Sequence, residues 1–252
     1  MEWAELWNME FNASKCKIMH VGHSNPGFSY TMGGYAPAGT IVKEVQEEKD
    51  IGVIIHNSLK PSIQCAKAVK KANSVLGQMS RSFHYRDKDT WIKLYKMYVR
   101  PHLEFAVQAW SPWYKSDVNI LEQVQIRAVR MVTGLSSNNY SDRLLEIGLM
   151  SLSDRRVRGD AVQVWKYLHG VSPLDPSMIQ LANVQHSRVT RHTVKMLNIA
   201  KVHARLEVRR NFFASRCVDN WNSLPSCVQS AATINDFKNV YDNHRHSDLF
   251  IR

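Results

Sequence analysis

Cysteine is scarce and scattered. Cys16, Cys65, Cys217 and Cys227 stand far apart, so neither a disulfide framework nor a zinc knuckle of closely paired thiols is available. His203, His244 and His246 form no recognised ligand spacing with them and read as solvated side chains. No apolar run approaches the roughly 18 unbroken residues of a membrane-spanning helix. Glu2, Glu5 and Glu10 occupy a start where an export signal would be basic and then apolar. A reduced, intracellular setting is expected, nuclear or cytoplasmic and not secreted. Catalytic signatures are missing as well. There is no Gly-x-Ser-x-Gly elbow, and no Gly-Lys-Ser/Thr follows Gly33, Gly34 or Gly39. No two aspartates are adjacent anywhere in the chain, and two-metal phosphoryl chemistry needs carboxylates brought together. Asp50 ends a strand-like run alone, and Asp87 and Asp89 read as helix caps.

Acidic residues are also thin beyond the first 60 positions. The chain of 252 residues carries 33 Lys+Arg against 22 Asp+Glu, a net charge of +11. Residues 1–60 hold 5 basic and 7 acidic residues, so the later residues hold 28 and 15 and the whole surplus. The densest stretch, 188–216, has eight basic residues and a single acid, Glu207. Such a stretch suits a phosphate backbone through counterion release. A solvated basic face or a half-ordered loop is the alternative. A hydrophobic fraction of 44% is near the globular norm and excludes bulk disorder.

The apolar pattern changes character along the chain. Trp3, Leu6 and Trp7 read as the end of a helix. Lys15–Val21, a short run around Phe28 and Tyr30, Thr40–Val45 and Asp50–Ile55 read as strands, too few and too short for a domain of their own. From Pro61 the period becomes helical. Ile63, Ala66, Val69, Ala72, Leu76, Met79 and Phe83 form one stripe, with Lys67, Lys70 and Lys71 off it. Further helices are expected after Asp87 or Asp89, after Asp117, near Ser141, after Ser151 or Ser153, and over Arg209–Trp221. Pro101 should break or kink its helix. Thr233-Ile-Asn-Asp236 is a capping-box variant. Residues 171–206 read as a loop with one short element around Val194–Ala200.

Several segments, taken in order, resemble one family. Trp7-Asn-Met-Glu-Phe-Asn-Ala-Ser-Lys-Cys-Lys-Ile-Met, Glu48-Lys-Asp-Ile-Gly-Val-Ile-Ile, Leu94-Tyr-Lys, Val99-Arg-Pro-His-Leu-Glu-Phe-Ala, Trp110-Ser-Pro, Arg209-Arg-Asn-Phe-Phe-Ala-Ser-Arg, Trp221-Asn-Ser-Leu-Pro and Phe237-Lys occur in this sequence. Together they resemble the C-terminal part of reverse transcriptases of LINE-type (non-LTR) retrotransposons, of the chicken-repeat and jockey-like kind. The resemblance implies an α+β, mostly α chain. A short β remnant of the polymerase palm would occupy 1–57, thumb-like helices 58–135, and a basic C-terminal helical region 136–252. The intact family copies RNA into DNA with magnesium held by an early palm aspartate and an aromatic-x-Asp-Asp turn. Both match positions ahead of Met1, so this chain is expected to hold no cofactor, to be inactive alone and to be a truncated polymerase. Ile51 stands where the family usually has Leu. The alternative is a host-retained basic helical module, binding nucleic acid or another partner without catalysis.

The resemblance carries few residue roles. Lys15 matches the lysine after the catalytic turn, near the incoming nucleotide; a solvated strand-edge lysine is the alternative. Asp50 and Gly52 match the region that supports the primer end, or serve plain sheet packing. Lys67, Lys70 and Lys71 lie on the helix matching the thumb, against the RNA and DNA of the template–primer duplex. Arg155, Arg156 and Arg158 crowd one helix start, where positive charge opposes the helix dipole, which favours a phosphate-binding role. Arg191, Arg209, Arg210 and Arg216 complete the expected nucleic-acid surface, with Phe212 and Phe213 read as core. No base-reading motif is visible, so little sequence preference is expected.

Overall fold

The computed structural model describes residues 6–9, 11–22, 24–32, 39–173, 178–182 and 197–249. The expected site residue Arg191 lies outside them, as do residues 194–196 of the element expected over Val194–Ala200; its described part makes an isolated antiparallel bridge between Ile199 and Leu181. The described chain is α+β and mostly α. None of its helices is long and apolar enough to cross a membrane. Cα packing divides it into two units, 1–64 and 65–252.

The described strands of the first unit are all short: β1 (Lys17–Ile18), β2 (Thr31–Met32), β3 (Thr40–Ile41), β4 (Lys43–Glu44), β5 (Glu47–Asp50) and β6 (Val53–His56). They pair as three separate ribbons, β1 with β4 in parallel, β2 with β3 and β5 with β6 antiparallel. The strands expected over Lys15–Val21 and Thr40–Val45 are thus cut to two-residue pieces. The strand expected to continue from Asp50 to Ile55 instead reverses. Asp50 pairs with Val53, leaving Ile51 and Gly52 as a two-residue hairpin turn. Both have positive φ, 43° and 92°, as the favoured two-residue turn requires. Apolar patterning alone did not reveal this turn, because its first position carries a β-branched residue that rarely adopts that conformation.

α1 (Ser62–Ser82) begins in the first unit and continues in the second. Its buried side is Cys65, Ala68, Ala72, Leu76 and Met79. The expected stripe is therefore rotated at its start and its end. Ile63 and Phe83 are exposed at 37% and 41%, and Ala66 is also exposed. Cys65 and Ala68 fill the same helical spacing with smaller side chains, and small residues allow close helix contact.

Asp87 caps α2 (Lys88–Leu94), its carboxylate accepting from the Thr90 amide at 2.9 Å. A wide π turn, Tyr95–Val99, then leads into α3 (Arg100–Glu104). This turn absorbs Pro101, whose missing N–H and ring would break an α ladder. The chain turns at Phe105 and Ala106 into α4 (Val107–Trp110). α5 (Lys115–Arg130) and α6 (Tyr140–Ile147) follow. Gln125, fully buried on α5, accepts from Tyr95 Oη at 2.8 Å and donates to Tyr140 Oη at 2.9 Å and to the Met150 carbonyl at 3.0 Å. Such a saturated buried amide fixes the register of the helices it joins.

α7 (Leu152–Leu168) is the central helix of this unit, packing on α4, α5 and the C-terminal helices. Ser151 caps it, accepting from the Asp154 amide at 3.0 Å, and Gly170 follows its end with φ 69°. The helix expected over Arg209–Trp221 is two, α8 (Glu207–Arg210) and α9 (Phe213–Asn222). α10 (Ser226–Gln229) and α11 (Ile234–Leu249) complete the unit. Thr233 caps α11 as expected, with its Oγ1 accepting from the Asp236 amide at 3.1 Å. Trp165 and Trp221 stack on Phe237, and Tyr241 lies tilted against the same ring, in the core between α7, α9 and α11. Both indole N–H groups there reach carbonyls, Ala231 and Leu197, at 3.2 and 2.7 Å.

Candidate nucleic-acid interface

Burial of one side of α1 dictates what the other side shows. Lys67, Lys70, Lys71, Ser74, Gln78 and Arg81 recur at helical spacing and all are exposed. Lys67 to Arg81 spans about 21 Å at 1.5 Å per residue. None of these four cations is in an ion pair among the described residues. Lys67 repels both Lys70 and Lys71 across one turn, which costs a helix a few tenths of a kcal/mol per pair. No acid in the first turn offsets it. Arg81 was missed by sequence reading. Counting from Lys67 in steps of three and four reaches it directly, but the shifted stripe obscured the face.

The arginines of α7 have separate fates, and the expectation that all three face a polyanion is corrected. Arg155 donates two hydrogen bonds to Glu104, one of them at 2.9 Å to Oε2. That carboxylate raises the Arg155 pKa above its ordinary value. Arg158 grips Asp242 on α11 with Nε–Oδ1 at 2.6 Å and Nη2–Oδ2 at 2.7 Å. Both side chains are struts between helices. The dipole penalty inferred from sequence is offset by acids that are 51 and 84 residues away in the chain. Arg156 is different. It is 6% exposed, and its Nη2 is buried without a hydrogen-bond partner.

Arg216 is likewise internal and corrected. It donates to Asp160 at 2.8 and 3.0 Å, to the Gln108 carbonyl at 2.9 Å and to the Asn211 carbonyl at 3.1 Å. Arg210 is exposed, yet its guanidinium is committed to the Ala204 and Arg205 carbonyls at 3.0 and 2.9 Å, closing the turn before α8. Arg209 remains outward, stacked over the Phe212 ring at 5.4 Å. Phe213 is buried as expected of core, but Phe212 is 39% exposed. The break between α8 and α9 turns consecutive phenylalanines to opposite environments. Arg209 and Phe212 thus form a cation-on-ring surface of the kind that accepts stacked bases.

In the first unit Lys15 is exposed, with no side-chain partner among the described residues. Neighbouring Lys17 is instead paired with Glu48 at 2.5 Å, which lowers the Glu48 pKa. Asp50 and Gly52 sit at the β5–β6 tip. Between them Ile51 is 88% exposed in the left-handed region. An exposed apolar side chain held in a disfavoured conformation is a functional signal, and only the turn geometry reveals it.

Among the described residues no three His, Cys, Asp or Glu side chains come together as a metal site.

No protein-family model matches the chain, and no solved structure matches it. An uncharacterized protein of Caenorhabditis elegans is 26% identical over 97 residues, covering 37% of this chain and 47% of that protein. The RNA-directed DNA polymerase from mobile element jockey of Drosophila funebris is 26% identical over 139 residues, and that of Drosophila melanogaster 24% over 139. Each match covers 53% of this chain, which spans only 14% of the length of those polymerases. Over about half its length the chain is therefore related in sequence to the RNA-directed DNA polymerases of jockey mobile elements.

Proposed function

We propose that the chain is part of a non-LTR retrotransposon reverse transcriptase, contributing surface for the template–primer duplex but not the catalytic aspartates. The observation that carries this reading is the row of unpaired cations on α1. A buried face sets its orientation, and among the described residues no ion pair offsets its self-repulsion. An anionic backbone removes that repulsion and releases counterions on binding. Arg209 on Phe212 adds a second exposed point suited to single-stranded or splayed bases. The jockey relationship makes RNA and DNA the natural polyanions.

The test is binding of an RNA–DNA hybrid to the purified chain, followed by fluorescence anisotropy across a salt series. Affinity should fall steeply with salt and depend little on sequence. Replacing Lys67, Lys70 and Lys71 together by Gln should flatten the logarithmic salt slope by about 2 to 3, near 0.9 per phosphate contact. An unchanged slope removes α1 from the interface. A primer-extension assay with magnesium addresses the other half of the reading, and template-dependent synthesis would sink it.

A further inference from the structure

A cleft of about 200 Å³ opens between α5, α7 and α9. Its polar lining comprises Ser111, Ser153, Arg156, Asp160, Arg216 and Asn220. The Asp160 charge is already engaged, because Arg216 holds it with two hydrogen bonds. The remaining charge in the cleft is the guanidinium of Arg156, which is in no ion pair among the described residues.

The neighbouring carboxylates explain why Arg156 is unpaired. Glu122, Glu104 and Asp160 all lie close enough to attract it. Yet Glu122 accepts from Tyr140 Oη at 2.5 Å and from the Leu152 amide at 3.1 Å. Glu104 is held by Arg155 and by Arg100, and Asp160 by Arg216. These three acids are each committed to another partner. Burial alone pushes the Arg156 pKa down, yet a guanidinium keeps its proton in a protein. A nearly buried cation in no ion pair is costly unless a ligand supplies the counter-charge.

We propose that this cleft binds a phosphate group, with Arg156 as its anchor and Ser111, Ser153 and Asn220 as further donors. Hydroxyls, an amide and a guanidinium offer more donors than the two oxygens of a carboxylate accept, and match the oxygens of a tetrahedral oxyanion. Ser153 lies in the first turn of the 17-residue helix α7, where the dipole favours an anion. The volume is below the roughly 300 Å³ at which pockets for whole organic ligands begin. It suits one phosphate and its residual water. The site uses no residue of the α1 row and does not depend on the polymerase relationship.

The experiment uses the full chain and inorganic phosphate as the probe. Phosphorus NMR follows line broadening, and thermal unfolding is compared in phosphate and chloride at equal ionic strength. The wild type should broaden the signal saturably and gain melting temperature with phosphate. Arg156→Met should lose both responses. Ser153→Asp provides a variant that folds, because an acid suits a helix N-terminus, and its phosphate affinity should fall at least about tenfold by charge repulsion. The triple Gln variant of α1 should keep the wild-type response. Competition by oligonucleotides with and without a 5′-phosphate distinguishes the source. Competition by only the phosphorylated strand assigns a terminal phosphate, equal competition a backbone phosphate, and none a free oxyanion. No broadening in the wild type, or undiminished broadening in Ser153→Asp, overturns the site.

Discussion

Replacing Arg158 by Met separates a strut from a ligand. Met keeps most of the apolar stem and removes only the guanidinium. Arg158 and Asp242 side chains are 23% and 27% exposed, and two hydrogen bonds of 2.6 and 2.7 Å join α7 to α11. Removing one partner of a fully buried pair costs about 3–5 kcal/mol, whereas exposed pairs are worth about 0–1. The intermediate exposure places the loss near 2 kcal/mol, discounted for solvent screening of the stranded Asp242. In a unit running from 65 to 252, that lowers the melting temperature by roughly 4–8 °C. Circular dichroism measures the transition, and anisotropy measures the salt slope of hybrid binding on the same samples. A strut gives a lower melting temperature and an unchanged slope. The Lys67, Lys70 and Lys71 triple variant gives the converse. If Arg158→Met melts normally while its salt slope flattens by about one, Arg158 faces nucleic acid and the ion-pair reasoning fails.

Ile51→Gly should stabilise the β5–β6 hairpin by about 1 kcal/mol, since left-handed strain of about 1–2 exceeds the added chain entropy of glycine. Amide exchange in β5 and β6 reads the change, and faster exchange would contradict it. Ser151→Ala removes the acceptor for the Asp154 amide and should destabilise the helical unit by about 1 kcal/mol, visible as a lower denaturant midpoint at constant m-value. Burial pushes the Cys65 and Cys217 thiols up to about 12, so neither should react with a thiol reagent at pH 8 in the folded chain. Exposed Cys227 should label first and half-buried Cys16 more slowly; rapid labelling of all four would refute the packing around α1 and α9.

Local chemistry was legible where a side chain acts within one turn of its own position. Asp87, Ser151 and Thr233 cap the helices their spacing indicated. The exposure of Lys67, Lys70 and Lys71 also followed from periodicity, although the stripe began two residues away from its expected place. Cys65 and Ala68 read as weak apolar signals beside Ile63 and Val69, and close helix packing selected them. The hairpin at Ile51 stayed hidden because its residue type contradicts its conformation.

The order of residues already sets a mostly helical chain, a basic surplus confined beyond residue 60, and the similarity to jockey polymerases. These follow from composition and spacing, which are properties of the unfolded chain. Which of those positive charges stay free is a matter of packing. Glu104, Asp160 and Asp242 are distant in sequence from Arg155, Arg216 and Arg158, and packing around α7 brings each acid to its arginine. The same packing leaves Arg156 nearly buried and in no ion pair among the described residues. Net charge adds along a chain, but its availability depends on which opposite charges share a low-dielectric contact, and only the fold sets those contacts.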